Sequence, residues 1–238
     1  MHHLGQTRGA LRPDHLLHTP DTFVRTVLPG MRNAAAIVHT APAAGARFTQ
    51  YTAEFEGGGV LEPTAAQRFV YVLEGEAEVN GASLSSGGYA WIPPRHKTPI
   101  SAKITTRAAI IEKPWSGAAA PASFTAHEQD LAPTHLADDP GLEVRSLLPD
   151  DPSFDFAVNT MTYLPGATLP MVEIHVMEHG LLMLAGGGIY RLGDCWYPVA
   201  AGDFIWMAPF CPQWFGALGK TPAKYLIYKN WNRGLLDP

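Results

Sequence analysis

The chain has 238 residues, 46% of them apolar, which is enough for one large domain or two small ones. Its net charge is −5 and its 17 lysines and arginines are scattered, which argues against a nucleic-acid partner, and no apolar run approaches the roughly 18 residues of a membrane span. The two cysteines, Cys195 and Cys211, are too few for a disulfide framework or a zinc ribbon, and the N-terminus lacks the continuous apolar stretch of a secretory leader. The expectation is a cytoplasmic protein with neither a membrane nor a nucleic acid as partner.

The apolar runs are short, rich in Val, Ile, Tyr, Phe and Trp, and bounded by Gly or Pro, the composition of strands joined by tight turns. In chain order they are ARFTQYTAEFE, RFVYVLEGEAEV, GGYAWIPP and RAAIIEKP. After the intervening SGAAAPASFTAHEQDLAPTHLA come FDFAVNTMTYLP, VEIHVMEHGLLMLAGGGIYRL, GDFIWMAP and AKYLIYKNW. No segment has the pattern of a long amphipathic helix. The second series repeats the first. GGYAWIPP matches GDFIWMAP through Gly87 and Gly202, Trp91 and Trp206, and Pro94 and Pro209. YVLEGEAEV matches MLAGGGIY through Gly75 and Gly186, and IIEKPW matches LIYKNW through Lys113 and Lys229 and through Trp115 and Trp231. The matches are collinear, so we read a duplication: residues 1–115 as one all-β unit, 116–137 as a linker, and 138–238 as the other.

The chemistry concentrates in MVEIHVMEHG, residues 171–180. On a strand, side chains alternate between faces, so Glu173, His175, Met177 and His179 share one face while Val172, Ile174 and Val176 suit an apolar packing layer on the other. One carboxylate with two imidazoles is a common ligand set for a divalent Fe, Mn or Zn ion. Two other readings remain open here. His175-x-x-Glu178-His179 on a helix would be an inverted zinc-protease motif with Glu178 as base, and the stretch can also be polar without a metal. The β-branched residues before the motif, Gly180 within it and Gly186-Gly187-Gly188 after it oppose a helix. A fourth ligand is expected from the hairpin opened by Gly202-Asp203, where Gln213 stands in PFCPQW; as an isolated residue it would be an ordinary loop glutamine. A glutamine carbonyl is a hard, neutral donor, which favours Mn(II) over Zn(II).

These residues carry a family resemblance. Gly166 to Gly186, as G-x6-E-I-H-x3-H-x6-G, resembles the first cupin motif, and Gly202 to Gln213 resembles the second, with glutamine in the usual histidine position. With the duplication, the chain resembles a bicupin, which implies an all-β fold of two tandem double-stranded β-helix (jelly-roll) barrels. The segments EIHVMEHG, GDFIWM and YLIYK are similar to those of the (S)-ureidoglycine aminohydrolase family. That resemblance implies metal ligands Glu173, His175, His179 and Gln213, a Mn2+ cofactor, and catalytic substrate contacts from Tyr190, Tyr225 and Lys229. It further implies hydrolytic deamination of a small ureido acid; residues 1–115 are read as a structural and oligomerising partner, so a homo-oligomer is expected. Tyr225, Ile227 and Lys229 alternate onto one strand face, and Tyr190 follows Gly188 on its own strand, so these side chains can face one barrel interior.

The first copy departs from the pattern. Glu62, Thr64 and Arg68 fall opposite Glu173, His175 and His179, and Thr98 falls opposite Gln213. Only a carboxylate survives and Arg68 adds a positive charge, so no metal is expected there. The rival readings are a metal-dependent dioxygenase, which uses the same ligand types, and a non-catalytic bicupin that binds a small molecule.

Overall fold

The computed structural model describes residues 5–117 and 119–230, so Trp231 lies outside the described residues. Among these residues the secondary structure is almost wholly antiparallel β, with four short 3-10 turns. The chain forms two compact units, and they are interleaved rather than consecutive. One comprises residues up to Phe23, Pro133–Pro149 and the chain from Phe156; the other comprises Val24–Ala132 with Asp150–Asp155.

In the first of these, one sheet has eight strands. Their order is Ala10–Leu11, His15–His18, Phe204–Met207, His179–Ala185, Ala223–Lys229, Ala157–Tyr163, Leu142–Ser146 and Thr134–His135. The other sheet has three, Cys195–Ala200, Gly187–Leu192 and Gln213–Ala217. The core contains Tyr163, Leu181, Tyr190, Ile205, Phe215 and Tyr225 from both sheets. The inner residues of the central strands are odd-numbered at 181, 183, 205, 207, 225 and 227, as strand alternation requires.

The second unit has the same plan. Gln67–Glu74 pairs on one side with Gly88–Ile92 and on the other with Thr106–Lys113, as His179–Ala185 pairs with Phe204–Met207 and Ala223–Lys229. The matched glycines Gly75 and Gly186 do the same work. Each has a positive φ (80° and 63°), and in each a Cβ would collide with the backbone leading into the last strand.

Two readings of the sequence are corrected. The expected boundaries fail at both ends of the first copy. His15–His18 adds to Phe204–Met207 in the metal-motif unit, with Leu17 opposite Ile205, and Arg8 bonds Asp203 through two hydrogen bonds of 2.7 and 2.8 Å. Phe124–His127, read as linker, instead extends the other unit's sheet beside Gly88–Ile92. Both segments supply an apolar strand to an open sheet edge, which removes unpaired backbone groups. The second correction concerns Val172, Ile174 and Val176, which form no packing layer. They are exposed, because residues 171–178 form no strand; the segment meets the barrel at the bridge of Glu173 with Gln213 and through hydrogen bonds at His175 and Glu178.

Candidate active site

The seven residues singled out in the sequence all line one cavity of about 330 Å³ in the first unit. Glu173, His175 and Met177 come from the extended segment, and His179 opens its strand. Tyr190, Gln213, Tyr225 and Lys229 come from three further strands. Residues 171–178 are not helical, and Glu178 is turned away from the cavity: its Oε1 accepts a 2.8 Å hydrogen bond from Trp206 Nε1. The helical zinc-motif reading therefore fails, since its base would be engaged in the barrel wall.

His175 is the hub. Its Nε2 lies 2.8 Å from Gln213 Nε2, 3.3 Å from His179 Nε2 and 3.9 Å from Glu173 Oε2. Backbone bonds hold the frame. Glu173 and Gln213 exchange N–H···O bonds of 2.9 and 3.0 Å, and Phe210 N–H donates to the His175 carbonyl at 2.8 Å. His179 Nδ1 donates to the Tyr228 carbonyl at 3.2 Å, which fixes the tautomer and leaves a lone pair on Nε2 aimed at His175. Burial, then the charges of Lys229 and His175, push the His179 pKa well below the usual imidazole range, so it stays neutral.

This donor set fits a divalent cation. Ligand atoms about 2.0–2.1 Å from one ion lie roughly 3.0–3.4 Å apart, close to the spacing of the imidazole and amide groups. Two imidazole nitrogens facing each other at 3.3 Å need a proton or a cation between them. Gln213 presents its amide nitrogen to His175, and half a turn of the amide presents the oxygen instead. Asp14, His15 and Cys211 also gather metal-type atoms within 4.8 Å of one another. These are already joined to neighbours, His15 by 2.9 Å bonds to Asp14 and to Tyr197.

Lys229 lies directly opposite His179 on the adjacent strand. Burial lowers its pKa, and the negative charge of Glu173 partly restores it. Tyr190 and Tyr225 are almost completely buried, and burial above all pushes both phenols well above their usual range, so both stay protonated. Tyr225 and Tyr163 share a 2.7 Å hydrogen bond, and Tyr225 also donates to Met161 Sδ at 3.3 Å.

At the same position in the other unit the polar groups pair with one another, and they too border a cavity, of about 510 Å³. Arg68 donates to Glu112 at 2.7 Å and to the Glu62 carbonyl at 3.0 Å, and Tyr51 donates to Glu112 at 3.0 Å. The strand register also corrects the sequence match. Glu112 stands opposite Arg68 as Lys229 stands opposite His179, so Glu112, not Lys113, is the counterpart of Lys229. Lys113 instead holds Asp155 at 3.0 Å.

Reasoning from sequence missed part of the cavity wall. Thr134, His135, Leu136 and Ala137 border it, although they fall in the presumed linker, and Asn159 and Met161 line it from the strand that opens the second copy. Asn159 could have been found from its odd position in the strand Ala157–Tyr163, on the same face as Met161 and Tyr163.

A double-stranded barrel with clustered carboxylate, imidazole and amide groups at its mouth defines a cupin, and the cupin-domain pattern matches residues 159–228. The (S)-ureidoglycine aminohydrolase of Arabidopsis thaliana is 38% identical, covering 98% of this chain and 80% of the plant protein. The Escherichia coli (strain K12) protein of that name is 30% identical over 91% of this chain and 88% of its own. The crystal structure of a putative glyoxylate-induced protein from Pseudomonas aeruginosa matches with a TM-score of 0.88 at 30% identity, covering 99% of this chain and 94% of the other. The chain belongs to the (S)-ureidoglycine aminohydrolase family.

Proposed function

We propose that this chain hydrolyses (S)-ureidoglycine to (S)-ureidoglycolate and ammonia, a step of purine (allantoin) degradation. Membership of the aminohydrolase family supports the reaction. The observation that carries the reading to a site is the convergence of Glu173, His179 and Gln213 on His175 Nε2, within one cavity that also holds Lys229, Tyr190 and Tyr225. Those four residues would hold the metal, and the hard oxygen donors of Glu173 and Gln213 favour Mn2+. A divalent ion bound there supplies Lewis-acid polarisation of the groups it contacts.

The chain's own groups divide the remaining work. The reaction breaks one carbon–nitrogen bond, releases the amine as ammonia and adds the oxygen of water to the same carbon. Lys229, with its lowered pKa, is suited both to pair with the substrate carboxylate and to carry a proton to or from the reacting atoms. Tyr190 stays protonated and faces the cavity, so it donates a hydrogen bond to substrate or water. Tyr225, tied to Tyr163, sets the position of that wall. The small cavity suits a small ureido acid.

The reading includes a homo-oligomer, for which the exposed side chains of Met171, Ile174 and Phe210 offer contact area, acting in a reducing cytoplasm where Cys195 and Cys211 stay as free thiols. The test is product analysis. Protein loaded with Mn(II) should convert freshly made (S)-ureidoglycine to ureidoglycolate of retained single handedness, and protein stripped of metal should not exceed the spontaneous rate.

A further inference from the structure

Asn159 lies in the strand Ala157–Tyr163, directly opposite Ile227 and between the pairs Ala157–Lys229 and Met161–Tyr225. It is 8% exposed, and what remains accessible borders the cavity. Its neighbours on that face, Met161 and Ile227, are apolar. Among the described residues its carboxamide has no hydrogen-bond partner, whereas nearby Tyr163 and Tyr225 satisfy each other. A carboxamide that is set in an apolar wall, hydrogen-bonded to none of the described residues and open to the cavity is available to a partner from outside the protein.

The rest of the cavity narrows what that partner is. Lys229 offers a cation and the Glu173 cluster offers metal-type donors, so the charged ends of an amino acid are already matched. With the Gln213 amide taken up by the cluster around His175, Asn159 offers a neutral donor and acceptor side by side. We propose that Asn159 is the specificity-determining residue that reads the ureido group: its carbonyl oxygen accepts from the terminal ureido NH2 while its own NH2 donates to the ureido carbonyl. This rests on the ureidoglycine reading above and adds which wall of the cavity receives which end of the substrate. A carboxamide and a urea share the same planar donor–acceptor edge, so two parallel hydrogen bonds form without either group carrying charge.

The test compares two stable probes as inhibitors of the Mn(II)-loaded enzyme: N-carbamoylglycine, which has the ureido group and the carboxylate, and N-acetylglycine, which has methyl in place of the terminal NH2. The wild type should bind the carbamoyl probe about tenfold to a hundredfold more tightly, the size expected for a polar edge matched by a buried partner. Asn159→Leu should bind both alike, with metal content unchanged and KM for (S)-ureidoglycine raised more than kcat is lowered. Asn159→Ala, a smaller change, removes both the donor and the acceptor and should lose the same preference, which covers the case of a leucine variant that does not fold. Equal binding of the two probes by the wild type, or a preference that survives in the folded variant, overturns the role of Asn159. A wild type that shows the preference and yet releases no ammonia supports the ureido site and contradicts the hydrolytic reading, so the two claims fail separately.

Discussion

Lys229 faces His179 across one strand pair, and in the duplicated unit Glu112 faces Arg68 in the same way. The second arrangement is a closed ion pair, with an Arg68 Nη2 to Glu112 Oε1 distance of 2.6 Å. The first is not an ion pair: a neutral imidazole and a lysine with a lowered pKa border the cavity that also holds Glu173, His175 and Gln213. One backbone plan thus carries an imidazole and a lysine in one copy and an arginine–carboxylate ion pair in the other.

Lys229→Met should lower turnover by at least about 100-fold, the lower range of acid–base contributions, while metal content stays near one per chain. Methionine keeps the packing of the stem and removes the amine. Lys113→Met should leave turnover near the wild-type value and lower the melting temperature instead, because it removes the cation that holds Asp155 at 3.0 Å and leaves that carboxylate its bond from Gln67. Steady-state rates and thermal melts on both variants separate the two roles. Equal effects on turnover would remove the assignment of catalysis to Lys229.

Elemental analysis should find one divalent metal per chain, and His175→Ala should lose it. His175 Nε2 is the atom nearest the other candidate donors, while the first copy offers the Arg68 guanidinium at the corresponding position. Glu62→Ala in the first copy should leave the metal in place. A full equivalent retained in His175→Ala would show that the ion is held elsewhere, with the group around Asp14 and His15 the next place to look.

Gln213→His should keep metal but shift preference toward zinc, and turnover should fall, because imidazole is a stronger donor and weakens the polarising power of the ion. Gln213→Ala should weaken metal binding. Competition between Mn(II) and Zn(II), read by elemental analysis, checks both. If neither substitution changes metal content or rate, Gln213 is only part of the barrel wall.

Burial pushes the Cys211 thiol up to about 11, whereas Cys195 is partly exposed. The sign is simple: a raised pKa means less thiolate, so at pH 8 only about one Cys211 in a thousand is ionised. An aromatic disulfide reagent at pH 8 should titrate one thiol rapidly in the native protein and two after denaturation. Two rapid thiols in the native state would show that the strand His15–His18, which borders this region, opens readily.

Part of the site was legible from strand alternation, since Tyr225 and Lys229 lie on one side of their strand. Glu173, His175 and Met177 do line the cavity with His179, but from a segment that is not a strand, so alternation is not what places them. What could not be read follows from long-range pairing. Residues 15–18 carry no local signal that they will join Phe204–Met207, since any short apolar strand fits an open edge. Both copies carry the same register shift near the start of the last strand, so the motif match, which paired two lysines by residue type, aligned Lys113 where the register puts Glu112. Val172 and Ile174 were read as packing residues because alternation says which side chains lie together but not whether the other face is covered. Asn159 was passed over because one polar residue in an apolar strand shows its purpose only when the missing partner is visible.

The most direct test of the central claim is anaerobic release of ammonia from freshly generated (S)-ureidoglycine by Mn(II)-loaded protein, measured beside His175→Ala. The expected result is enzymatic ammonia release, one per ureidoglycolate formed, without oxygen, and only the spontaneous rate from the variant. Ammonia at the spontaneous rate from the wild type, an absolute need for oxygen, or full activity in His175→Ala would contradict it.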